Sequence, residues 1–260
     1  MDLDDIKNAE SDSDLIPGIY NYCDRWCERC YLSSRCFTYK MEMREPRSEE
    51  SQDLRNKEFW DELSDVFALT WELLYEIAEE EGIDLDALDD EDTDYLKLDD
   101  PEIENHPVTK ASEAYFESSR KWLDSYHEVF KEKAQEYSDL VKMNINPEEN
   151  TNNTLILSDL FEIINWYHTM IFVKAKRAVM SSFDTWEEDD IQNDANGTAK
   201  VVLKCIERSS FAWNGILKHM PEQEDVALRN LANLTFLKKS IEEYFPDAEK
   251  FIRPGFDENI

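Results

Sequence analysis

The sequence predicts an all-α protein. Apolar residues recur three and four positions apart along most of its length, no segment alternates as a half-buried strand would, and only five of its 260 residues are glycine. The expected architecture is a bundle of about five long helices preceded by a four-cysteine segment. Hydrophobic residues make up 41% of the chain and aromatics 12%, enough for a packed core, so the composition is that of a globular protein and not a disordered one.

An acidic leader over residues 1–16, read as disordered, opens the chain. A cysteine-rich segment follows over residues 17–47, then the helical bundle over 48–245 and an extended tail over 246–260. The first helix is expected from about Asp53 to Glu81, where Phe59, Leu63, Val66, Phe67, Thr70, Leu74 and Ile77 form a stripe and Gly82 suits a left-handed cap. Residues 84–104 hold eleven acids and only Lys97 against them, and read as an exposed connection without the glycine of an EF-hand loop.

A second helix is expected from about Pro107 to Met143, stopped by Asn146-Pro147. The Asn-rich stretch to Thr154 reads as a loop. A third helix, Leu155 to Ser182, is apolar around most of its circumference and belongs in the middle of a bundle. Asn196-Gly197 reads as a turn before a fourth helix with Val202, Cys205, Ile206, Ser209, Trp213, Ile216 and Met220 on its stripe. Pro221 opens a fifth helix, whose buried face is drawn from Leu228, Leu231, Leu234, Ile241 and Phe245; Phe251 and Phe256 could pack the tail over the bundle.

Charge narrows the partners. With 60 acids against 28 bases and a net charge of -32, the chain repels nucleic acid and anionic membranes, and any docking partner would be a basic protein. Its start lacks a basic region followed by an apolar run, and its most apolar stretch, Leu155 to Met180, is broken by charged and polar residues. A cytoplasmic location without a membrane span is therefore expected. No short loop holds the paired glycines of a phosphate-cradling or dinucleotide-binding motif.

The chemistry-bearing pattern is Cys23, Cys27, Cys30 and Cys36, spaced C-x3-C-x2-C-x5-C. In a reducing compartment such a run is read as a ligand set for a soft metal, because several thiolates must converge within about 2.3 Å of the ion and a short returning peptide can supply them. Were the stretch helical, positions 23, 27 and 30 would share a face. Arg25, Arg29, Arg35, Lys40, Arg44 and Arg47 outnumber the four acids of residues 21–47 and would offset thiolate charge, while Tyr20, Tyr22, Trp26, Tyr31, Phe37 and Tyr39 could wall the site. The plainer alternative is that the thiols are ordinary core side chains.

Zinc is the leading choice of metal. The alternative is an iron-sulfur cluster, since the first three cysteines resemble in spacing the cluster-binding triad of radical S-adenosylmethionine enzymes. Those enzymes mount the triad on an α/β barrel, and Cys36 would fill the open iron site, so radical chemistry is not expected. The run IPGIYNYCDRWCERC with its later RC also resembles the opening of an uncharacterised bacterial family of similar size and helical pattern. That resemblance implies no mechanism.

Other chemistry is sparse. One Asp124-x-x-His127 and no Glu-x-x-His argue against a di-iron bundle. Glu162, Asn165, His168 and Thr169 on the third helix could line a polar pocket, with Glu162 meeting Arg208 or Lys176 in the interior. Ser209 and Ser210 have no readable base, and Cys205 reads as core. Three functions follow: a metal-binding helical protein of mainly structural role that presents a surface to a protein partner, an iron-sulfur redox or electron-transfer protein, and a bundle enzyme using Glu162 and His168.

Overall fold

The computed structural model describes residues 12–44, 55–85, 100–183 and 189–257, with backbone alone for Arg44, Glu62, Tyr126 and His127. The fold is all-α, and the described residues contain no strand. They form two compact units: residues 12–20, 27–44 and 55–85 make one, and residues 21–26, 100–183 and 189–257 make the other. This grouping differs from the expected boundary at residue 47, since the first long helix falls with most of the cysteines and six residues of the cysteine segment fall with the bundle.

The smaller unit contains 3-10 turns at Cys27–Arg29 and Ser33–Arg35, then α1 (Phe37–Arg44) and α2 (Lys57–Glu81). The Asn56 side chain caps α2 by accepting from the Glu58 amide, and Gly82 ends it at φ 69°, a conformation that costs a residue with a side chain about 1 kcal/mol. Positions 12–16 of the expected leader are held here: Leu15 and Ile16 are buried, and the Lys40 ammonium donates to Asp12 at 2.8 Å. Residues 1–11 lie outside the described chain.

The larger unit is the bundle. After a single turn, α3 (Pro101–Glu104), capped by Asp100, come α4 (Pro107–Asp124), α5 (Tyr126–Lys142), α6 (Pro147–Ser181), α7 (Asp194–His219) and α8 (Glu224–Tyr244). Helices α4, α6, α7 and α8 close a ring in which α6 borders α4 and α7, and α8 borders the same two; α5 packs on α6. The core inside is aromatic and aliphatic. Trp122 stacks on Phe161 with centroids 4.6 Å apart and tilts against Trp213 at 4.7 Å, among buried Leu157, Ile164, Ile171, Leu234 and Leu237.

Four boundaries differ from expectation, each for a local reason. The helix foreseen over Pro107 to Met143 is interrupted at Ser125, whose hydroxyl and amide both donate to the Trp122 carbonyl and withdraw it from the regular ladder. The Asn-rich stretch is helical, because Pro147 occupies the first turn with Glu148 and Glu149 and the Thr151 and Thr154 hydroxyls bond back to the carbonyls four residues before them. Asn196-Gly197 is no turn: Asn193 caps α7 by accepting from the Asn196 amide at 2.8 Å, so the pair lies within the first helical turn. Lastly, Pro101–Glu104 of the foreseen exposed connection is helical and buries Ile103.

The fifth helix begins with a 3-10 turn at Pro221–Gln223, and its buried face is made by Ala227, Asn230, Leu234, Leu237 and Ile241. Leu228, placed on that face by the periodicity, is exposed. The tail packs down. Lys200 is buried and donates to the Phe251 carbonyl at 2.6 Å and the Glu249 carbonyl at 3.0 Å, while pairing with Asp257 at 2.8 Å. Between α4 and α8 the accounting is less complete: among the described residues no hydrogen-bond partner meets the buried Thr109 Oγ1 or Asn230 Oδ1.

At the centre of the ring the Tyr115 hydroxyl lies 2.5 Å from Ser209 Oγ and accepts from Trp213 Nε1 at 3.1 Å. Burial pushes its pKa up from 10.0 to about 12, against the pull of those bonds. The neutral phenol is thus favoured in the folded state. Its contribution to stability is complete below pH 10 and is lost as pH rises toward 12, so denaturant titrations should show an unfolding free energy that drops over that interval. In Tyr115→Phe protein, less stable at neutral pH, the drop should be smaller.

A strap anchored by Asp24 and the placement of the cysteines

Residues 21–26 cross the bundle as an irregular strap, with Arg25 in the left-handed region at φ 58°. That reversal prevents the helix on which Cys23, Cys27 and Cys30 would have shared a face. What holds the strap is a set of side chains between the cysteines. The Asp24 carboxylate accepts from the Tyr167 hydroxyl at 2.5 Å and from Arg208, while its carbonyl accepts from Trp166 Nε1 at 2.9 Å. Arg208 also donates to the Tyr167 oxygen at 2.7 Å, so carboxylate, phenol and guanidinium form a closed triangle.

Apolar contacts flank this polar centre. Trp26 is buried, stacked on Trp166 with centroids 5.2 Å apart and edge-on to Tyr167 at 5.7 Å. On the other side Tyr22 meets Phe251 at 4.6 Å, and both rings rest on Gly197, where a Cβ would lie 2.5 Å from Tyr22 and 2.6 Å from Phe251. Gly197 is needed for this close approach, a role that its neighbour Asn196 disguises in the sequence as a turn signal. The Lys174 ammonium completes the anchorage by donating to the Asn21 carbonyl at 3.0 Å.

Electrostatics follow from burial and pairing. Desolvation raises the Tyr167 phenol above its usual range, and its bond to the Asp24 carboxylate raises it further. Burial alone would raise Asp194, but hydrogen bonds from Arg177, Ser181 and Tyr22 outweigh it and hold that carboxyl below the usual range. Burial lowers Lys174 and pushes up the Cys23 thiol, the latter against the opposing bond and charge of Arg25. The Cys205 thiol, fully enclosed, is raised much further. Cys205 is thereby a poor nucleophile, and it is core as its stripe foretold.

The other three cysteines follow one another in the smaller unit. The Cys30 amide donates to the Cys27 carbonyl at 3.1 Å, Ser33 to Cys30 at 3.3 Å, Cys36 to Ser33 at 3.1 Å and Lys40 to Cys36 at 3.0 Å, so the run is a succession of single turns leading into α1. Arg35 fixes it to the preceding chain by donating from Nε to the Asp14 carbonyl at 3.0 Å. Cys27 and Cys30 are half-buried and Cys36 is buried. Among the described residues, no three His, Cys, Asp or Glu side chains are grouped closely enough to hold a metal ion. Of the foreseen aromatic wall, Tyr22 and Trp26 pack on the bundle instead and Tyr31 is exposed.

The expected polar pocket takes a different form. Glu162 sits on the exposed side of α6, whereas Lys176 pairs with Glu104 and Arg208 with Asp24. His168 stacks flat on Phe116 at 5.4 Å, its Nδ1 lies 2.7 Å from the Asn165 carbonyl, and burial lowers its pKa. Ser209 is bonded to Tyr115 in the core, and Asp124 is exposed. No helix among the described residues is long and apolar enough to cross a membrane. No family model matches the chain, and no curated protein or solved structure matches it either.

Sequence reasoning read Asp24 as one of several charges around the thiols and did not single out Tyr167. The one available signal was Tyr167 and Trp166 on a helix otherwise rich in aliphatic residues. Replacing Asp24 by Ala leaves Arg208 and Tyr167 facing a gap and should cost about 1–3 kcal/mol in denaturant unfolding, with faster amide exchange over residues 21–26. Gly197→Ala forces Tyr22 and Phe251 apart and should cost about 1–3 kcal/mol by overpacking, loosening strap and tail together in the same exchange experiment.

Proposed function

We propose that the chain is a non-catalytic metal-binding protein in which the thiolates of Cys23, Cys27, Cys30 and Cys36 take up zinc. The observation that carries this reading is the density of thiols: four within fourteen residues, three of them on the consecutive turns Cys27 to Cys36 of one unit. A ten-residue run of single turns can tighten around an ion at little cost to the rest of the fold, which suits a site whose closure is coupled to metal uptake. The bundle has a separate role. Asp24, Trp26 and Tyr22 anchor the strap without using a thiol, so the ion is not needed to attach it.

The test is elemental analysis of the full chain purified without oxygen, beside Cys27→Ser/Cys30→Ser protein. About one zinc per chain is expected, absent from the variant, together with a lower melting temperature for the cysteine unit and an unchanged helical signal from the bundle. Colourless protein without metal, or a double variant that keeps both metal and melting temperature, would refute the reading. Brown protein with visible absorbance and bound iron would replace zinc by the iron-sulfur alternative.

A further inference from the structure

Helix α2 stands apart from the thiol chemistry. Placed on a helical wheel, Leu63, Phe67, Thr70, Trp71, Leu74 and Ala78 fall on one side, and Glu58, Asp61, Asp65, Glu72, Glu76 and Glu79 fall opposite. Nine acids and the single Lys57 make up its charge. A helix this regular, closed by Asn56 at one end and Gly82 at the other, is built to bury its apolar side. Yet Phe67 and Trp71 are each 58% exposed, Leu74 46% and Ile77 47%. Several large apolar side chains contiguous on one helix and open to solvent mark a docking surface.

Charge selects the occupant. A second copy would bring together two chains that each carry a net charge of -32, and an anionic membrane would be repelled in the same way. We propose that α2 is a docking helix for a basic protein partner, seating Phe67, Trp71 and Leu74 in an apolar groove of a protein whose net charge is positive. The acids on the far side speed encounter through their field, and the aromatic residues supply the contact that persists. This assignment is independent of whether the cysteines hold a metal.

The test uses the full chain and a fluorescently labelled amphipathic helical peptide of leucine and lysine, with its leucine-glutamate counterpart and phosphatidylglycerol vesicles as controls. Anisotropy should show the lysine peptide binding, weakening as sodium chloride is raised, and the glutamate peptide failing to bind. Phe67→Asp/Trp71→Asp, both at exposed positions, should weaken binding about thirtyfold, the loss typical of interface hot spots. A second variant, Asp65→Asn/Glu72→Gln/Glu79→Gln, keeps the apolar side and should weaken binding only at low salt. Equal binding by the Phe67/Trp71 variant would reduce the effect to bulk charge attraction and overturn the proposal. A wild-type dimer in sedimentation that Trp71→Asp dissolves, or vesicle binding abolished by the same change, would overturn it in favour of a second copy or a membrane.

Discussion

The bundle's grip on the amino-terminal strap rests on one carboxylate. Asp24 is set into the surface of α6 and α7 where Tyr167 and Arg208 converge, and its backbone is held by Trp166. A carboxylate drawn out of water needs donors at both oxygens or a cation beside it, and here phenol, guanidinium and the Trp26 amide meet that need. The ring of Trp26, two residues on, covers the same spot from above, so polar and apolar contacts are made by a single hexapeptide. Its left-handed residue, Arg25, aims both side chains inward; that strain persists because both neighbours are held.

This arrangement separates two tasks that the cysteine spacing had merged. Attachment belongs to Tyr22, Asp24 and Trp26, residues of the sort that fill a protein interface, and the metal capture proposed above would fall to the thiols placed between and after them. The separation bears on how a protein of this kind would respond to metal depletion. On the zinc proposal, loss of the ion would relax the turns from Cys27 to Cys36 and leave the ring of α4, α6, α7 and α8, with its buried Tyr115, Trp122 and Trp213, intact.

Much of the fold was legible because the signals were local. The helix of α2 with its glycine cap, the proline-led start of the last helix and the central place of the largely apolar α6 are written in spacing, and each is present. The errors had a common cause. Asn and Thr ahead of Leu155, and Asn196-Gly197, read as breaks by propensity, yet their side chains bond to nearby backbone and the glycine makes room for two rings; only tertiary contact tells these cases from true turns. Ser125 shows the converse, a residue tolerated in helices that here ends one. For the site, spacing exposed the four cysteines, but Asp24 and Tyr167 are 143 positions apart, and no single-sequence pattern links them.

The notch at Gly197 also bears on the order of assembly. It receives a ring from residue 22 and another from residue 251, so the strap cannot settle until the chain has been made as far as Phe251 and α7 has met that residue. The strap is therefore made well before the residue that completes its seat. Until then its Cys23 thiol stays accessible to whatever ion, chaperone or oxidant reaches it first.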